Sequence, residues 1–183
     1  MDKERIENEA YKLLSETWTD ATNGLDIVLL AKKLGFVVGN TVLPDNEDGF
    51  IIVDERKTDL LGTSSNKVIG VNTERDNYDK LFIVAHELGH YVLEGKEKPI
   101  YAHREKKVES RSEIEQEVDY FAASLLMPRN EFVARFSELS KDSEYISQIA
   151  EKLKQIFSAP YESVIRRLDE LGLVGIAVSD EDI

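Results

Sequence analysis

The chain has 183 residues, 42% of them apolar, which excludes a disordered chain and suits one domain or one domain with a small appendage. Its 36 acidic residues outnumber 23 basic ones, and the net charge of −13 makes it a poor non-specific ligand for nucleic acid or an anionic membrane. It contains no cysteine, which excludes a disulfide framework and any thiolate-held metal.

The N-terminal stretch MDKERIENEAYKLLSE is charged and lacks the apolar segment of a secretory leader. The longest strictly apolar runs, IVLLA and LFIVA, have five residues each, far short of a membrane span, so a soluble cytoplasmic protein is expected. Ile6, Ala10, Leu13, Leu14 and Trp18 recur at helical spacing and predict an amphipathic helix over 2–18. A second helix over 25–34 ends at Gly35, a favourable residue for a helix C-terminus. Short runs with strand character follow: FVV, GFIIV and KVIGV, with the polar DERKTDLLGTSSN between the last two read as a loop.

Asn72 and Thr73 are N-cap candidates for a long helix that stops at Gly95. Residues 95–111, rich in both charges, read as a solvated loop. Ser112 and Glu115 have the spacing of a capping box, opening a helix that runs to Met127 and is closed by Pro128. Beyond it the pattern is helical over 130–138, 143–157 and 160–171, with LVGIAV as a final short strand. The expected division is a first domain over 1–130 and a helical segment over 131–183, with helix-turn-helix-like proportions, packed on it.

The most apolar stretch, LFIVAHELGHYVL at 81–93, carries three ionisable residues: His86, Glu87 and His90. Burying them without partners costs several kcal/mol each, so something must compensate. On a helix, His86 and His90 lie one turn apart on one face, where two imidazoles can share a small cation. The pattern H-E-x-x-H supplies two zinc ligands and a carboxylate that takes a proton from water, whose pKa zinc lowers to about 7.

A catalytic zinc needs a third ligand. His103 lies in the charged loop, where a surface role is expected. The helix SEIEQEVDYFAASLLMP buries the stripe Ile114, Val118, Phe121, Ala122 and Leu125, and Glu115 and Glu117 flank it on opposite sides. Helical geometry alone does not choose between those two.

FIVAHELGHYVLEG followed by EQEVDYFAASLLMP resembles the ImmA/IrrE family of zinc metallopeptidases, and the likeness extends over residues 20–175. The resemblance implies an α+β fold: a small zincin-like catalytic domain with a short twisted sheet beside the active-site helix, and a helical C-terminal segment; the strand-like runs before the motif supply a sheet edge expected to pair with an extended substrate segment. It implies Zn2+ held by His86, His90 and Glu117, with Glu87 as the catalytic acid and base and Asp119 supporting a ligand. One departure is Lys80, where the family commonly has Arg shortly before the Phe of the active-site helix.

The implied function is cleavage of a specific regulatory protein, such as a helix-turn-helix repressor of a mobile element or stress response, with no direct contact to nucleic acid or membrane. The alternative is a DNA- or protein-binding regulator whose zinc site is structural. Against DNA binding, the charges of residues 151–173 sum to zero. Tyr91, Tyr101, Tyr120 and His103 are candidate donors to a developing oxyanion. Lys106 and Lys107, in the positively charged loop, are candidates for attracting an acidic substrate segment.

Overall fold

The structure is a computed structural model that describes residues 1–17, 25–95, 100–105, 112–141 and 145–174. In chain order the elements are α1 (Lys3–Thr17), α2 (Ile27–Lys33), β1 (Val37–Thr41), β2 (Glu47–Leu60), β3 (Thr63–Asn72), α3 (Asn77–Leu93), β4 (Ile100–Glu105), α4 (Glu113–Leu126), α5 (Arg129–Leu139), α6 (Ile146–Phe157) and α7 (Tyr161–Glu170). The four strands form one mixed sheet in the order β1-β3-β2-β4, with β1 parallel to β3 and β2 antiparallel to both β3 and β4. The α+β class and the twisted sheet beside the motif helix are as the sequence indicated.

Two segments read as loops are strands. Residues 54–66 extend β2 and β3 into a hairpin, with Leu60 paired to Thr63 across a turn at Leu61 (φ +53°) and Gly62 (φ +73°). Two successive positive φ values give the turn whose twist matches that of the flanking strands. The arm was hidden in the sequence because Glu55, Arg56 and Lys57 are all exposed, so no inside–outside alternation marks it. The charged stretch 95–111 contains β4, which pairs with β2 at Ile52–Tyr101 and Phe50–His103. Its strand character comes from that long-range partner rather than from its own composition.

Helix α3 is the centre of the molecule. Ten consecutive residues, Phe82–Tyr91, are buried, so every face of its middle is covered. It packs against β2, β3 and β4 and against α4 and α2. Its N-cap is Asp76, whose side chain accepts from the backbone N–H of Asp79 at 2.9 Å, and not Asn72 or Thr73. Asn72 instead ends β3, buried, and donates from Nδ2 to the carbonyl of Glu47 at 2.9 Å.

α1 lays Ile6, Ala10 and Leu13 into the core and packs on α4. One continuous apolar cluster runs from Ile6 through Leu88, Phe121 and Phe132 to Leu168 and Leu173, across the 130/131 position. Of the expected last strand, residues 175–178 lie outside the described residues. Among the described residues no helix is long and apolar enough to cross a membrane.

Candidate metal centre

His86, Glu87 and His90 are all buried in the middle of α3. The two imidazole centroids are 5.1 Å apart. Both Nε2 atoms face the carboxylate of Glu115: His86 Nε2 is 3.3 Å from Oε2 and His90 Nε2 is 3.3 Å from Oε1. On the far side of each ring a second carboxylate takes the other nitrogen. His86 Nδ1–H donates to Asp119 Oδ1 at 2.9 Å, and His90 Nδ1–H donates to Glu94, one helical turn on. With Nδ1 donating to its own carboxylate, Nε2 is the nitrogen turned toward Glu115, and it becomes a metal ligand once it gives up the proton it donates there.

The field of the site favours positive charge. Burial works to lower the pKa of His90, but the hydrogen bond to Glu115, the charge of Glu87 and the bond to Glu94 outweigh it and push it up to about 9. Burial works to raise that of Glu115, and its contacts with His86 and His90 hold it well below the usual carboxylate range.

The ligand reading taken from the resemblance is corrected here: Glu115, not Glu117, meets the histidines. The cause is where α4 sits. It is wedged between α3 and α1. At about 100° per residue, positions two apart point about 200° apart, so Glu115 and Glu117 cannot face the same neighbour. Glu115 and Asp119, one turn apart, face α3 and reach His86. Glu117 and Tyr120 face α1, where Arg5 donates to Glu117 at 2.9 Å and Tyr120 donates to Glu7 at 2.7 Å. Ser112 caps α4 by accepting from the N–H of Glu115 at 3.3 Å, so the sequence signature of the cap is real. The glutamate of that signature spends its carboxylate on the imidazoles.

Gly89, inside the motif, sets how near α4 comes. A Cβ there would lie 2.8 Å from Val118 Cγ1, 3.2 Å from Phe121 Cδ1 and 3.3 Å from the carbonyl of Val118. Only a residue without a side chain admits that approach, and the approach brings Glu115 within reach of the histidines. Glu87 lies on the sheet side: its Oε1 is 3.4 Å from where a Cβ on Gly49 of β2 would be.

The structure turns the hydroxyls of Tyr91 and Tyr120 to partners other than the histidines. The Tyr91 hydroxyl accepts from Lys67 Nζ at 2.8 Å, and its ring packs edge-on to Phe36 at 5.1 Å. Tyr120 is held by Glu7 in α1. Tyr101 and His103 are placed on β4, and their candidacy as donors concerns side chains outside those described. Lys106 and Lys107 also lie outside the described residues. Sequence reading missed Glu94, although its spacing of four from His90 was a usable signal. It also missed Arg166 of α7, whose Nη1 is 3.7 Å from Asp119 Oδ2; no local signal marks that contact.

One nitrogen from each imidazole and one carboxylate oxygen of Glu115, all within 4.8 Å of one another, make a set that fits a metal ion. It is the one such group of three or more found among the described residues. Each imidazole is backed by a carboxylate, as ligating histidines are. A compact α+β domain that carries H-E-x-x-H on its central helix and a carboxylate from the next helix is a zincin-like, metallopeptidase-like domain. The profile of the Peptidase M78 family, the IrrE N-terminal-like domain, matches residues 39–169, and the chain belongs to that family. A solved structure described as a Mycobacterium tuberculosis transcriptional regulator is similar in fold, with 20% sequence identity and a TM-score of 0.50. The match covers 90% of this chain and 47% of that one, so this chain spans about half of its length. Among curated proteins there is no match.

Proposed function

We propose that this domain is a zinc-dependent endopeptidase acting on a specific regulatory protein, such as a helix-turn-helix repressor. The observation that carries the reading is the convergence of His86, His90 and Glu115 beside the buried Glu87. Two imidazoles and a carboxylate suit zinc, with one coordination position left for water or substrate. When bound, zinc supplies a Lewis acid that acidifies water and polarises a peptide carbonyl. His86, His90 and Glu115 would hold the ion, and Asp119 and Glu94 fix the ring orientations. Glu87 takes the proton from the attacking water and returns it to the leaving amine. β4, at the edge of the sheet, offers backbone groups to an extended substrate segment.

The regulator reading, with a structural zinc site and direct DNA binding, finds less support. Of the cations in residues 151–173, Arg167 is fully buried and Arg166 faces Asp119, so few remain for a phosphate backbone.

The test is incubation of zinc-loaded protein with a mixed-sequence peptide library and with the product of the adjacent reading frame, followed by mass spectrometry. Cleavage that a chelator abolishes is expected. Glu87→Gln should keep the zinc and lose about 10²–10⁴ in rate, since the amide cannot accept the proton. Full activity of the Gln variant would overturn the mechanism, and salt-sensitive DNA binding without any cleavage would favour the regulator reading.

A further inference from the structure

A cleft of about 580 Å³ opens between the first half of α3 and the start of α7. Tyr78, Phe82 and Ile83 of α3, Tyr161 of α7 and Pro160 just before it give it an aromatic and apolar lining. Two of its walls are made by neighbours of the metal-centre residues. Asp79 and Ile83 line the cleft, and Glu87 continues the same row of α3 one turn further. Ile83 and Glu87 both lie against Gly49: a Cβ there would be 2.4 Å from Ile83 Cγ2 and 3.4 Å from Glu87 Oε1. On the other wall is Asp119, whose Oδ1 holds His86.

The lining is acidic, with six carboxylates against three cations. Each of those cations already has acid beside it. Arg75 donates to Asp48 at 2.5 Å, Arg166 is 3.7 Å from Asp119, and Lys154 is 3.8 Å from Glu151 with its ammonium 5.2 Å from the centre of the Tyr78 ring. Asp79 in the first turn of α3 and Glu162 in the first turn of α7 both stand near helix N-termini. Carboxylates and aromatic rings lining one cleft make an environment for a guanidinium or ammonium group.

We infer that this cleft seats a basic side chain, Arg or Lys, next to the bond to be cut, so the substrate segment is a basic one. The inference rests on the peptidase reading for its function but not for its binding chemistry. A repressor that reads DNA carries basic segments, so the cleft and the proposed substrate class agree in charge.

The experiment uses two labelled decapeptide libraries of mixed sequence, identical except that one central position is fixed as Arg or as Glu. Binding to the zinc-loaded Glu87→Gln protein is followed by fluorescence anisotropy, and cleavage by the unaltered protein is followed separately. The Arg library should bind at least about tenfold more tightly at low salt, with the gap narrowing as salt screens the charges. Asp79→Asn and Glu162→Gln, each checked for folding by circular dichroism, should each reduce the preference several-fold. The N-cap bond of α3 uses the backbone N–H of Asp79 and survives the change. Equal binding of the two libraries, or a preference that neither variant alters, would overturn the inference. Arg-selective binding without any cleavage would leave the inference standing and remove the peptidase reading. Cleavage with no Arg preference would do the reverse.

Discussion

Three of the carboxylates at the two histidines divide two tasks between them. Asp119 and Glu94 hold the Nδ1 atoms, and Glu115 lies on the Nε2 side of both rings. Glu115→Ala should therefore lose zinc affinity by more than the 10–100-fold typical of a supporting residue. Glu117→Ala should retain zinc at full stoichiometry, because its partner is Arg5, an exposed pair worth at most about 1 kcal/mol. Competition with a chromophoric chelator distinguishes the two. Zinc lost from the Glu117 variant and kept by the Glu115 variant would restore the reading drawn from the resemblance. At Gly89, alanine gains helix propensity of about 1 kcal/mol but meets Val118 at 2.8 Å. Overpacking costs about 1–3 kcal/mol, so the net effect should be a modest loss of stability. The more telling measurement is zinc affinity, which should fall as α4 is pushed from α3; an unchanged affinity would show that the spacing has slack.

At the scale of elements, α1 holds α4 in its rotation. Glu7 accepts from Tyr120 of α4 at 2.7 Å, from Arg129 of α5 at 2.8 Å, and lies 3.0 Å from the buried Arg167 of α7. One carboxylate thus ties four helices together. Burial works to raise its pKa, but the bonds from Arg129 and Tyr120 and the charge of Arg167 hold it below the ordinary 4.5. A depressed pKa means that the contribution to stability is present above pH 4.5 and is lost as pH falls through the lower folded-state value. Glu7→Gln should cost about 3 kcal/mol near neutral pH, chiefly by leaving Arg167 without its closest counter-charge. Urea midpoints of the two proteins should converge as pH drops below that range. A gap that stays constant from pH 7 to pH 3 would show that the charge of Glu7 is not what matters.

For the molecule as a whole, binding of zinc to the folded state alone should raise its stability. At a free concentration about 1,000 times Kd the gain is about 4 kcal/mol, or roughly 8–16 °C in Tm for a domain of this size. Calorimetry with zinc and then with chelator measures it, and a Tm indifferent to both would argue against a metal site. The distribution of charge also changes the picture of recognition. The positive stretch around Lys106 and Lys107 pointed to an acidic substrate segment, whereas the cleft beside the metal centre is acidic and calls for a basic one. The two are compatible if a substrate spans both, and the peptide libraries address the cleft alone.

The sequence by itself determined the local features. The motif helix and its end at Gly95, the cap at Ser112, the short apolar runs in β2 and β3, and the four-residue spacing of His86 and His90 are all features of a few neighbouring residues. Composition hid the hairpin arm and β4, because an exposed or charged strand has no pattern of its own and exists only through its partner. The choice between Glu115 and Glu117 belongs to the same category. Both flank one buried stripe, and nothing along α4 says which side meets α3. That is decided by α1, more than a hundred residues away in sequence, which takes Glu117 and Tyr120 on one side and leaves Glu115 and Asp119 for the histidines on the other.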